Sequence, residues 1–288
     1  MTRSIMGPCL ALCLTILNSG CASVKAIDHS QNSAASTWEA FRTTYIAEQS
    51  SPKSFSCTAT LNYSSPKGSN RVVARLWGNL NRLTTAVAVR LDLQTSIGAA
   101  ISHCREDQKA FTIYLPTKQM AYLHHDGQAG MAVLGVPLPF SLIELARLIT
   151  GDWRNLAPAG YTSARSITMD GQPAFEYIVS RPEDAINWKY RRNTSFIITL
   201  DPSGQPLALT EPGLYPWHIT FNGMLENSGP LRLPKKITMS RKVGEQKDGK
   251  TDQVVLFLKT LERRNKSWPE ISLTLPLPSG TQVHMLQN

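Results

Sequence analysis

Phe55-Ser56-Cys57-Thr58-Ala59-Thr60-Leu61-Asn62 alternates apolar with polar side chains, one for one. A period of two sets Phe55, Cys57, Ala59 and Leu61 on one face of a β-strand and the polar groups on the other. Residues 71–80 repeat the pattern, with Val72, Ala74, Leu76 and Leu80 opposite Arg71, Arg75 and Asn79. So do residues 86–93, where Val87, Val89, Leu91 and Leu93 alternate with Ala86, Ala88, Arg90 and Asp92. Turn-like Ser65-Pro66-Lys67-Gly68 joins the first two runs. Such half-apolar strands in succession predict an antiparallel meander with one face buried.

Further strands are expected near 98–104, 109–115 and 118–124. After the middle of the chain they resume near 162–168, 173–180, 194–200, 215–221, 235–243, 252–263 and 271–275. The helices are few. Ser36-Thr37-Trp38-Glu39 has the capping-box form and opens an amphipathic stretch to about Gln49, with Trp38, Phe41, Tyr45 and Ile46 on one side. Residues 130–149 are apolar except for Glu144 and Arg147, but Pro137 and Pro139 cut the run. Only 140–149 can be continuous helix, carrying a stripe of Leu142, Leu145, Ala146 and Ile149 and stopped by Gly151. About a dozen strands are too many for one flat sheet. The predicted fold is mainly β with a few helices: an unclosed antiparallel β-barrel, or curled sheet, with helices covering its concave side. It forms a single domain over 36–288, since no repeat or interior linker divides that stretch.

Residues 1–20 read as an export signal, with Arg3 as the lone charge before an apolar run from Cys9 to Leu17 that is too short to span a membrane. Ser19-Gly20 before Cys21 is similar to a bacterial lipobox, which makes Cys21 the lipidated first residue of the exported chain. The alternative is an ordinary secretory signal followed by a chance Cys. Ala22 is similar to the outer-membrane sorting choice, and residues 21–35 read as a flexible tether. The expected location is the periplasmic face of the bacterial outer membrane, held by the lipid anchor. An oxidising compartment permits a Cys57–Cys104 disulfide. Strand parity favours two buried thiols instead, because Cys104 falls opposite the face of Ile97 and Ile101.

Of the 288 residues, 42% are hydrophobic and 18% charged, which excludes a disordered chain. The net charge of +9 is scattered, its densest runs being pairs such as Arg191-Arg192 and Lys235-Lys236. Without a basic patch or a recognition module, no nucleic-acid partner is expected. Nor does the sequence call for an enzyme or a cofactor, since it holds no nucleophile elbow, phosphate-binding loop or dinucleotide fingerprint. His124-His125-Asp126 points its neighbours to opposite faces, which argues against a metal. His103-Cys104-Arg105-Glu106-Asp107 reads as a solvated turn, and Asp92 beside Arg90 as a surface pair.

Leu134-Gly135-Val136-Pro137-Leu138-Pro139 leads into a helix with Leu142, Leu145 and Gly151; residues 91–98 end in an apolar Ile97 before Gly98; and 233–237 precede a final hairpin. Together with the lipobox and the order of elements, these resemble the LolA/LolB superfamily, most closely its outer-membrane receptor branch, LolB, over roughly 36–265. The resemblance implies a monomeric protein that shelters the acyl chains of lipoproteins, receives them from a soluble periplasmic carrier and delivers them to the outer membrane. The hollow is expected to be lined by Phe55, Leu61, Val87, Val89, Leu91, Leu93, Leu142 and Leu145, without buried charge. By the same resemblance, Ile97 is the exposed residue that enters the bilayer during insertion. Two alternatives keep the envelope location: a carrier of another envelope lipid, and a structural or assembly lipoprotein whose core is filled by its own side chains.

Overall fold

In a computed structural model the described residues are 29–47, 52–66, 68–80, 87–133, 138–157, 160–180, 195–211, 216–226, 231–242 and 251–286. They form one sheet of fourteen strands, antiparallel at every pairing but one, that curls without closing. Its first half is a meander of β1 (Ser54–Ser65), β2 (Gly68–Asn79), β3 (Ala88–Gln94), β4 (Ala100–Asp107), β5 (Phe111–Leu115) and β6 (Met120–His124). The second half runs through β7 (Ser163–Met169), β8 (Gln172–Ser180), β9 (Ser195–Leu200), β10 (Pro206–Thr210), β11 (His218–Met224), β12 (Pro234–Lys242) and β13 (Thr251–Arg264). The halves are joined where β13 pairs antiparallel with β1. The last strand, β14 (Gln282–Met285), adds in parallel to β6 and becomes one edge, while β7 is the other. Bulges at Thr58/Ala59 and Leu93/Gln94 break the ladders and bend the strands, which is how a sheet this wide curls.

Among the described residues four α-helices accompany the sheet: α1 (His29–Phe41), α2 (Gly127–Val133), α3 (Leu142–Thr150) and the single turn α4 (Glu270–Leu273). Helix α1 begins at His29, inside the stretch read as tether, and ends in a π-helical turn over Arg42–Ile46. Ser36, read as its cap, lies inside the helix with its hydroxyl donating to the Ser33 carbonyl. The run of Gln, Ser and Ala ahead of it has adequate helix propensity and needs no start signal there. Trp38, Phe41 and Tyr45 are buried as their spacing requires, in an aromatic cluster with Tyr177, Tyr161 and Trp153.

Helix α3 starts at a complete capping box. The Ser141 hydroxyl accepts from the Glu144 amide, and the Glu144 carboxylate accepts from the Ser141 amide. Gly151 ends it at φ 79°, a left-handed conformation that suits glycine. Among the described residues no helix is long and apolar enough to cross a membrane.

Three elements escaped the sequence pattern: α2, β10 and β14. The expected strand at 271–275 is instead α4 and an extended exit. This C-terminal segment crosses the convex face, where Trp77 and Arg90 donate to the carbonyls of Ser272 and Thr274.

Candidate functional site

The concave face is built from aligned rows. Cys57, Leu76, Leu91, Cys104 and Ile113 stand opposite one another from β1 across to β5. A neighbouring row runs Phe55, Gly78, Val89, Glu106, Phe111 and His124 from β1 to β6. Phe55, Leu61, Val87, Val89, Leu91 and Leu93 all face this interior, and Leu142 and Leu145 meet them from α3 in one hydrophobic cluster. The eight residues read from the sequence thus share one apolar interior. Cys57 and Cys104 are buried free thiols in the same row, three strand spacings or ~14 Å apart, whereas a disulfide needs Cα atoms within about 7 Å. Their separation comes from distance, not from opposite faces as the parity argument had it. Cys104 shares the inward face, and Ile101 is the half-buried one.

Among the described residues the side chains of the hollow are closely packed. Every residue of α3 is buried. A cavity bounded by Tyr45, Leu148, Gly151, Trp153, Phe221 and Leu233 holds about 10 Å³, room for a single water.

Charge inside the hollow corrects the expectation of a purely apolar lining. Glu106 is not in a solvated turn, because β4 continues through Asp107 and parity turns Glu106 inward, 1% exposed. One carboxylate oxygen, Oε2, accepts from the Leu142 amide at 2.6 Å and the Ile143 amide at 3.3 Å, at the N-terminus of α3. The other, Oε1, is buried without a hydrogen-bond partner. Gly127 opens α2 directly against it, since a Cβ there would come 2.6 Å from the carboxyl carbon. Burial pushes the Glu106 carboxyl up to about 8; the Glu144 charge adds to this, while the two α3 amides and the Ser141 hydroxyl oppose it.

The far end of α3 carries a second polar anchor. Buried Asp152 accepts from Arg154 Nε and from an Arg154 terminal nitrogen, at 2.9 and 3.0 Å. Burial lowers the Arg263 pKa, and the charge of Asp152 opposes that shift. The Trp153 amide donates to the Tyr45 carbonyl at 3.0 Å, tying this end to the turn after α1. Arg147, buried in mid-helix, reaches the Leu80 carbonyl at 3.5 Å.

Ile97 stands at the tip of the β3–β4 turn, 91% exposed, where the Gly98 amide donates to the Thr95 carbonyl. Asp92 bridges Arg90 and His103 on the outer face at 3.0 and 2.9 Å. His124 is buried with Nδ1 against the Asp126 backbone, and His125 is exposed. Cys21 lies outside the described residues, as do Gly135, Val136 and Pro137.

The fold is shared with solved structures. A LolA superfamily protein from Nitrosomonas europaea matches at a TM-score of 0.53 with 11% identity, over 84% of this chain and 97% of that one. The fold is LolA-like. A DUF1329 family protein from Desulfovibrio piger superposes at a TM-score of 0.57 with 7% identity, over 83% of this chain and 96% of that one. By sequence alone the chain matches no protein-family model and no curated protein. At these identities the LolA-like likeness extends to the fold. They do not distinguish the LolB branch expected from the sequence motifs.

Proposed function

We propose that this chain is a lipoprotein of the bacterial envelope, anchored through Cys21, that takes acyl chains of other lipoproteins between α3 and the sheet and helps place them in the outer membrane. The observation that carries this reading is a short, separately capped helix lying across aligned apolar rows of a LolA-like sheet. Opening α3 exposes several large apolar side chains at ~1.5–3 kcal/mol each, of order 10 kcal/mol in all. An acyl chain burying about a dozen methylenes at ~0.8 kcal/mol apiece returns a similar amount. Exchange of helix for guest is therefore near balance, as a carrier that must both load and unload requires. No covalent step is needed, and the reading assigns no catalytic residue.

The experiment is displacement of N-phenylnaphthylamine by a di- or triacylated lipopeptide, together with lipoprotein fractionation in cells depleted of the protein. Competitive displacement and retention of lipoproteins in the inner membrane are the expected results. A protein that binds neither probe nor lipopeptide overturns the reading. That outcome would select a rival, a structural lipoprotein with a self-packed core. Mass spectrometry of co-purified lipid separates lipoprotein cargo from phospholipid.

A further inference from the structure

Glu106 stands at the join between lid and sheet. Val89 on β3 and Phe111 on β5 flank it, Gly127 of α2 presses on it, and none of these carries charge. The titratable group facing it from α3 is Glu144, whose carboxylate is turned to the Ser141 amide. Beyond Phe111 the same row ends in His124, held by the Asp126 backbone, while the Asp126 carboxylate accepts from the Ala129 amide. Among the described residues no cation forms an ion pair with Glu106. Burial, an oxygen without a partner and the nearby Glu144 charge favour the protonated carboxyl, against the two helix amides and the Ser141 hydroxyl, which favour the ionised one.

We propose that Glu106 is a proton-operated latch on α3: the neutral carboxyl holds the helix closed over the hollow, and its ionisation releases the helix. The latch deepens the acyl-binding reading and rests on it for the identity of the guest. When α3 lifts, water reaches the carboxyl and its pKa falls from about 8 toward the ordinary 4.5. Closing therefore takes up a proton. Acid favours the closed form fully below pH 4.5, and that advantage is lost as pH rises through about 8.

The test is hydrogen-exchange protection of the α3 amides in the purified lipidated protein between pH 5 and 9, run beside N-phenylnaphthylamine binding. The open population of the native protein is expected to rise up to ~10-fold per pH unit through this window and then level off. Glu106→Gln, which mimics the neutral acid, is expected to show no such slope. Native α3 protection that is flat with pH, or an unchanged slope in Glu106→Gln, overturns the latch. Should Glu106→Gln not fold, Glu144→Gln serves: glutamine keeps the capping box, while loss of the neighbouring charge moves the window to lower pH. A window that stays put in Glu144→Gln overturns the proposal. The two readings fail separately. A slope in α3 protection without probe binding removes the acyl guest and keeps the latch, whereas probe binding without a slope removes the latch alone.

Discussion

Gly204 abuts the backbone of Phe41: a Cβ at 204 would lie 2.6 Å from the Phe41 amide nitrogen and 3.0 Å from the Thr37 carbonyl oxygen. The β9–β10 turn thus braces α1, and the Thr37 hydroxyl donates to the Pro202 carbonyl at 3.2 Å beside it. Gly204 has a φ of 83°, so Gly204→Ala meets both left-handed strain and a clash with backbone that cannot yield. The expected loss is about 2–4 kcal/mol. A urea midpoint unchanged by this substitution would contradict the contact.

Asn79 fixes the C-terminal segment to the sheet. Its amide donates to the Trp268 carbonyl at 3.1 Å and its carbonyl accepts from the Trp268 amide at 2.8 Å. Asn79→Ala removes both bonds and leaves half-buried backbone groups unpaired, at about 2 kcal/mol. Limited proteolysis should then cut after Arg264 well before the sheet is attacked. Equal cleavage rates in the two proteins would show that the segment is held elsewhere.

The strands were legible because period two survives wherever one face is wet, as in Phe55 to Leu61. Glu106 was not, because Arg105-Glu106-Asp107 looks like a turn by composition, and the amides that hold the carboxylate belong to residues 142 and 143. One signal was available. Glu106 keeps the parity of Cys104, and extending the strand by one pair would have turned it inward. β10 and β14 are only five and four residues long, and β14 lies at an edge where every side chain is exposed, so no apolar alternation marks it. The paired rows that form the hollow depend on cross-strand register, which bulges at Ala59 and Gln94 reset.

The thiols of Cys57 and Cys104 are each pushed up to about 12, chiefly by burial. At pH 8 the thiolate fraction is then ~10⁻⁴, and neither should react with iodoacetamide in the native protein. Peptide mass mapping should find both alkylated only after denaturation. Native modification of Cys104 would mean that the hollow admits reagent.

Ile97→Glu adds charge at a tip that packs against nothing, so the melting temperature should move by no more than about 1 °C. Delivery of lipoproteins to the outer membrane, followed by fractionation, should nevertheless fall. Delivery at the native rate would remove Ile97 from the insertion step.

Ser141→Ala deletes the hydroxyl that caps α3 and costs about 1 kcal/mol, roughly a fivefold change in equilibrium. Because the cap belongs to the closing helix, faster exchange of α3 amides and quicker probe uptake should appear together. Global unfolding without selective loosening of α3 would argue that the helix does not open as a unit.

The pairing of Ser54 with Arg264 welds the start of the sheet to nearly its end. On the ribosome, β1 through β6 can zip up neighbour by neighbour, yet β1 keeps a bare twelve-residue flank until Thr251–Arg264 has been synthesised. Messages or proteases that stop the polypeptide short of that point would leave a sticky unpaired border, not a smaller working protein. Quality control should meet such fragments as aggregates.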